Sequence, residues 1–274
     1  MKLEKIAAWL DKTLKVADFD DVSNNGLQVA RDQGSGIGDQ VRVVAFAVDA
    51  SVKNVKAAAK AGAQLLVVHH GISWGGGIKR ISGGVYNVVK AAMDANLAVY
   101  ACHLPLDAHP VLGNNAQLAK LLKLKNVKQA FSYHGNVIGV VGEGLKVRVF
   151  ESLKVLGLQN AHTFKLSNLQ TFKPSNFQTF KLSNSHPLRV GVCSGGAGEF
   201  AEEAKALGCD LYVTGEASWG DVIAAENVGM KMVCAGHYET EVFGVRAVAK
   251  AMAKALRVKT VDLELGWSTP LARS

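Results

Sequence analysis

The 274-residue chain predicts an α/β fold of two lobes, each with a mostly parallel or mixed sheet. Three observations support this. Near-continuous apolar runs of strand length, such as Val41–Ala50 and Leu188–Cys193, recur along the chain. Strands with so little alternation belong in sheets covered on both faces. Helical stretches separate these runs, and the 28 glycines supply tight turns between them. The lobes are drawn at 1–125 and 188–274, joined by a connecting region at 126–187.

Met1 to Val16 places Glu4 and Asp11 among spaced apolar residues and reads as an amphipathic helix rather than a signal peptide. Val41–Ala50 is a strand ending near Asp49, and Ser51 caps a helix that runs to Ala61. Ala63–Val68 is a strand ending at His69, Gly84–Asn96 a helix, Leu97–Cys102 a strand and Asn114–Leu122 a helix. After the connecting region, Leu188–Cys193 is a strand that leads into the turn Ser194-Gly195-Gly196-Ala197-Gly198. Glu199–Leu207 is then a helix, Asp210–Thr214 a strand, Ser218–Val228 a helix and Lys231–Ala235 a strand. Glu239–Leu256 is a long helix, and Thr260–Leu265 forms a last strand.

Composition narrows the function. The chain is 49% hydrophobic, but no apolar run approaches the ~18 residues of a membrane span, so no membrane partner is expected. Cys102, Cys193, Cys209 and Cys234 form no CxxC pair and read as reduced, buried thiols of a cytoplasmic protein. Cys102 and Cys234 also flank candidate ligand segments. The formal charge of +8 falls to +5 without Lys165, Lys173 and Lys181. Those lysines sit in three copies of one octapeptide, 163–170, 171–178 and 179–186, which read as a surface insertion. A dense basic run with interleaved aromatics is absent, so nucleic acid is possible but not favoured.

Two clusters of metal-binding residues lie more than 160 residues apart. His69-His70-Gly71 ends one apolar run. Adjacent strand residues face opposite ways, but at a strand end both rings can turn to one site, and Gly71 supplies backbone freedom. His237 and Glu241 follow another apolar run at a spacing that puts both on one helical face. Asp107, past the strand that ends at Cys102, adds a carboxylate. Three imidazoles and two carboxylates exceed one catalytic zinc site and suit two divalent ions, with zinc, iron or manganese all compatible. The metal site is expected at the carboxyl ends of the strands, between the lobes.

Around this set stand candidates for catalysis or support. Glu216 is a candidate general base or an acceptor that holds a ligand. His103 could orient a ligand, bind substrate or serve structure. Asn25 and Asp49 are weaker, since each also suits a turn or cap. The SGGAG turn could cradle phosphate, although it lacks the ending of a Walker loop.

These residues resemble the dinuclear-metal family of type 2 homologues of GTP cyclohydrolase I. The likeness runs through Asn25-Gly26-Leu27-Gln28-Val29, VHHGISWGG at 68–76, ACHLPLDAHPVLGNNAQLA at 101–119, TGEASWGD at 214–221 and GHYETE at 236–241. It implies metal ligands at His69, His70, Asp107, His237 and Glu241, two ions per subunit, and a toroidal homohexamer. It further implies a metal-dependent hydrolase acting on a small molecule such as a nucleotide. The alternative is a metal-containing ring protein that binds nucleic acid or a protein partner without turnover. The chain departs from the family pattern at Trp219-Gly220, where a histidine is usual. Without the 24 repeat residues its length is 250, like the short family members.

Overall fold

The computed structural model describes residues 1–31, 40–153 and 187–263. The octapeptide copies at 163–186 lie outside the described residues. The chain forms two compact units, one comprising Met1–Gly113 and the segment that begins at Val242, the other Asn114–Glu241. These limits differ from the sequence ranges 1–125, 126–187 and 188–274, for reasons of strand pairing given below.

The first unit opens with helix α1 (Leu3–Leu14), which buries Leu3, Ile6, Leu10 and Leu14 on one face. That spacing forms an apolar stripe, and each buried side chain contributes about 1.5–3 kcal/mol. Strand β1 (Gly26–Val29) follows, then β2 (Val43–Asp49), helix α2 (Val52–Lys60) and β3 (Leu65–His70). Ser51 caps α2, its hydroxyl accepting from the Asn54 amide at 3.1 Å. Helix α3 (Gly83–Asp94), β4 (Ala98–Ala101) and the short α4 (Leu104–Ala108) continue the unit. The last described strand of the chain, β10 (Lys259–Asp262), completes a five-stranded sheet in the order β1-β4-β3-β2-β10.

Pairing is parallel except between β1 and β4. Burial on both faces explains the unbroken apolar runs of β2 and β3. Register fixes what gathers at the sheet's carboxyl edge. Asp49 lies opposite His70, and Val68 lies opposite Ala101. The ends of β2, β3 and β4 therefore share one edge, and antiparallel β1 starts there, with Gly26 opposite Ala101.

The second unit carries helix α5 (Asn114–Leu121), the hairpin β5 (Lys125–Tyr133) and β6 (Asn136–Gly144), and α6 (Lys146–Leu153). Strand β7 (Leu188–Cys193), helix α7 (Ala201–Ala206), β8 (Leu211–Thr214), α8 (Trp219–Asn227) and β9 (Met232–Cys234) then alternate. The sheet order is β5-β6-β7-β8-β9, antiparallel through β7 and parallel beyond it. Ser218 and Asp221 form a reciprocal capping box at the start of α8. Helix α9 (His237–Leu256) begins after β9, two residues before the expected Glu239.

The sheets bear out the mixed α/β expectation, and three elements explain the different limits. The hairpin β5–β6 falls within the stretch read as a connection, yet it pairs with β7. Its two-residue loop, His134-Gly135, has positive φ at both positions (48° and 77°), the geometry of a tight hairpin turn. Strand β10, expected with the last lobe, pairs with β2 instead. Among the described residues no helix is long and apolar enough to cross a membrane.

Candidate metal centre

In the first unit the histidines are held by their Nδ1 atoms. His69, fully buried at the end of β3, donates Nδ1–H to the Cys102 carbonyl at 3.0 Å. His70 Nδ1 lies 2.9 Å from Asp49 Oδ1, the pairing that the β2–β3 register dictates. His103 Nδ1 lies 2.9 Å from Asp21 Oδ1. With Nδ1–H donating, the lone pair of each ring sits on Nε2. One acceptor behind each ring is the arrangement by which proteins orient histidine ligands and raise their basicity.

The three rings are close, with centroids 4.6 Å apart for His69 and His70 and 5.1 Å for His69 and His103. Asp107, buried on α4, brings Oδ2 to 3.4 Å from His69 Nε2. Two donors on one ion at about 2.0–2.2 Å stand roughly 3.0–3.5 Å apart, so this separation suits neighbouring ligands of one metal. Trp74 borders the cluster edge-on to His103 at 5.1 Å, and its indole N–H donates to the Gly71 carbonyl at 3.0 Å.

Sequence reasoning missed the support beneath this cluster. Asp21, whose side chain is 2% exposed, accepts from His103, from the Ser23 and Leu104 amides and from the Asn25 side chain. Burial pushes its carboxyl up, but the His103 hydrogen bond and charge, with the Ser23 and Asn25 donors, outweigh that and hold it at about 2. Asn25 also accepts from the His103 amide at 2.8 Å. Nothing in the run Asp18-Phe19-Asp20-Asp21 marks the fourth residue, because the partners that tie it to the cluster, His103 and Leu104, lie 82 and 83 positions away. Gly71 corrects an expectation, for it lacks the left-handed φ that would require glycine. Space demands it there: a Cβ would collide with the Gln28 amide and come within 2.5 Å of Ala101 Cβ. Gln28 Oε1 in turn accepts from the Ile72 and Ser73 amides at 2.6 and 3.2 Å, fixing the loop that carries Trp74.

The second unit repeats the pattern on another scaffold. His237 opens α9 and Glu241 lies one turn on, with Oε1 3.2 Å from His237 Nε2. Glu216, just past β8, places Oε1 2.9 Å from His237 Nδ1. It therefore stands behind the ring as an orienting partner. Thr240, buried between the two candidate ligands in sequence, accepts from the Gly195 amide at 3.0 Å and ties the β7 turn to α9. Gly195 has φ +68°, and a Cβ there would collide with Glu241 Oε1 and lie 3.4 Å from His237 Nε2. The SGGAG turn thus packs against carboxylates, which disfavours the phosphate role considered from sequence. Among the cysteines, Cys102, Cys193 and Cys209 are buried and Cys234 is half-buried. Cys102 serves the site through its carbonyl rather than its thiol.

The donor sets in both units fit a divalent metal, by residue type, Nδ1 anchoring and donor spacing. Gly195→Ala is expected to keep the fold yet displace Glu241, with metal content read by elemental analysis and folding by circular dichroism. Asp49→Ala and Glu216→Ala should each weaken metal binding by about 10–100-fold through a freed ring, measured by chelator competition.

His237 also predicts a proton effect. The Glu241 hydrogen bond, foremost, and Glu216 raise it to about 9 against burial, which lowers it. In the metal-free protein this pairing stabilises the fold below the unfolded value of 6.5 and is lost as pH rises through about 9. Metal must displace that proton, so uptake near pH 7 should release about one proton from this residue and strengthen toward pH 9. Calorimetry in buffers of different ionisation enthalpy checks the release, and its absence in His237→Ala assigns it.

Anchored histidines at strand and helix ends with buried carboxylates beside them define a candidate divalent-metal protein. Residues 1–268 match the Duf34/NIF3 (NGG1p interacting factor 3) family, and the chain belongs to that family. A relative from Pyrococcus horikoshii, named GTP cyclohydrolase 1 type 2 homolog, is 37% identical over 96% of this chain and 98% of its own. A Deinococcus radiodurans relative of the same name is 39% identical over 90% and 86%. Among solved structures, protein ybgI, of unknown function, superposes with a TM-score of 0.78 at 28% identity, covering 96% of this chain and 98% of that one. A Thermus thermophilus protein, TTHA1606, gives 0.76 at 27% identity, covering 98% and 100%.

Proposed function

We propose that His69, His70, Asp107, His237 and Glu241 hold two divalent ions per chain, zinc, iron or manganese, in a hydrolase for a nucleotide-like or phosphorylated small molecule. The observation that carries this is the shared build of the two clusters. Each has a histidine anchored through Nδ1, His69 in one and His237 in the other, with a buried carboxylate oxygen 3.2–3.4 Å from its Nε2. When bound, a divalent ion held by such residues would lower the pKa of a water and polarise a substrate oxygen.

The chain's own residues supply the rest. Asp49 and Glu216 hold His70 and His237 in orientation, and Asp21 and Asn25 hold His103 beside His69. Trp74, 38% exposed, offers an indole face on which a planar ring can stack. The relatives' name points to a nucleotide as the substrate. The chain is further proposed to assemble as a homohexamer, which light scattering tests.

The deciding experiment loads the purified protein with Zn(II), Fe(II) or Mn(II) and assays nucleotides and phosphoesters beside Glu241→Ala. Metal-dependent turnover that fails in the variant supports the reading. Full metal content in the variant would sink the ligand assignment. Loaded wild type without turnover on any substrate would favour a binding role.

A further inference from the structure

We infer that Trp219 is a stacking surface for the planar ring of a ligand, set beside the His237 and Glu241 cluster. It rests on the proposed nucleotide-like substrate and extends that reading, giving the ring a place of its own in the second unit. Single apolar residues are common on protein surfaces, so exposure alone decides nothing. Position decides here. Helix α8 buries Val222 and Ala225 and leaves Trp219 62% exposed. Ile223, one turn on, is exposed on the same face.

A chain of close approaches leads from the cluster to the start of α8. A Cβ on Gly195 would lie 3.4 Å from His237 Nε2. One on Gly196 would lie 3.4 Å from Glu216 Oε1 and 3.8 Å from His237 Cε1. One on Gly198 would come within 2.5 Å of Ala217 Cβ and 2.8 Å of Asp221 Oδ2. The turn 195–198 therefore runs along the histidine, then Glu216, then the first turn of α8. The Gly215 and Glu216 amides both donate to the Gly195 carbonyl at 2.9 Å, which fixes the end of β8 on that turn. Three peptide steps put the Trp219 Cα at most about 11 Å from that of Glu216. The backbone that carries the indole is held as well. The Ser218 amide donates to Asp221 Oδ2 at 2.8 Å, and the Asp221 amide donates to Ser218 Oγ at 3.2 Å. Cys234 senses the same neighbourhood: burial, then the charges of Glu216 and Asp221, push its thiol up to about 11.

The chemistry of the place selects a ring rather than a phosphate. Its three carboxylates, Glu216, Asp221 and Glu241, outnumber the single cation that His237 can offer. A phosphate laid among them would meet like charge. An uncharged planar heterocycle meets no such repulsion, and it stacks on an indole in the offset geometry that aromatic pairs prefer. A purine, a fused heterocycle like indole itself, is the ligand class that fits.

The test separates ring from phosphate. Guanosine carries the ring alone, and ribose 5-phosphate carries the phosphate alone. Each is titrated by calorimetry into wild type, Trp219→Phe and Trp219→Ala, with and without Zn(II). Guanosine is expected to bind wild type in both forms and to quench its indole emission. Trp219→Ala should bind it roughly 5- to 150-fold more weakly, the range for loss of one base–aromatic stack. Trp219→Phe keeps an aromatic face and should stay within about 5-fold of wild type while losing the quenching. Neither variant should change ribose 5-phosphate binding or the melting midpoint, which a merely structural indole would move. Equal guanosine affinity in wild type and Trp219→Ala, or no guanosine binding at all, would overturn the inference. So would a loss confined to Trp74→Ala. A change of assembly state in Trp219→Ala by light scattering would also overturn it, because the indole would then be a contact between copies. Guanosine held through Trp219 without any metal-dependent turnover sinks the hydrolase reading and leaves this one standing. Metal-dependent turnover beside guanosine binding that is indifferent to Trp219→Ala does the reverse.

Discussion

Glu241→Ala is expected to lower the metal content of the protein from two ions per chain to one, with a thermal melt close to wild type. Glu241 is 3% exposed, and its Oε1 is 3.2 Å from His237 Nε2. A buried carboxylate at the start of a helix is favoured by the amide dipoles of that first turn, but a metal would neutralise it more completely. Removing it takes away one proposed ligand and one negative charge from the site. Because loss of a merely orienting partner costs about 10–100-fold in affinity, loss of the ligand itself should exceed that range. The fold should survive, since Thr240 still ties the β7 turn to α9. Elemental analysis beside a melting curve checks both halves of the expectation. Glu241→Gln separates charge from shape and should keep the wild-type melt while still lacking the second ion.

Asp21→Ala is expected to act in the opposite way, on stability first and on metal second. Four donors converge on this carboxylate: His103 Nδ1, the Ser23 and Leu104 amides and the Asn25 side chain, all at 2.8–3.0 Å. Alanine leaves them facing a small apolar methyl in a nearly buried place. Breaking such a charged, buried cluster costs about 3–5 kcal/mol, which lowers the melting midpoint of a chain this size by roughly 10 °C. The effect depends on pH in a defined direction. Asp21 titrates at about 2 in the fold against 3.8 when unfolded, so its contribution is complete above 3.8 and lost as pH falls through about 2. The difference in stability between wild type and variant should therefore shrink in strong acid. A constant difference from pH 6 to pH 2 would contradict the account.

The sequence revealed those parts of the molecule that local pattern determines. Apolar runs located β2, β3, β4, β7, β8 and β9, and helical spacing located α1, α2, α3 and α8 within one or two residues at most ends. The i, i+4 spacing put His237 and Glu241 on one helical face, and α9 carries both in its opening turns. What escaped depends on contacts between distant positions. Strand β10 has no local feature that selects β2 as its partner. The hairpin β5–β6 turns at His134-Gly135, where the common signal would be an Asn-Gly or Asp-Gly pair. Asp21 looks like any loop aspartate until β4 brings His103 to it. Glu216 was legible as a candidate from its place after a strand, yet its partner, His237 Nδ1, becomes visible only when β8 and α9 are adjacent.

Gly71 and Gly195 carry a consequence for how function is recognised in related chains. Neither donates a side-chain atom to a metal, yet each leaves room that a single methyl group would fill. A chain could therefore retain all five proposed ligands, align perfectly along the His-His and His-Tyr-Glu-Thr-Glu motifs, and still be inert through alanine at either position. The reverse holds for engineering. Installing the ligand residues on a similar sheet would reproduce the formula of the site without its volume. Function in this protein is written partly in the smallest residues, where ligand inventories do not look.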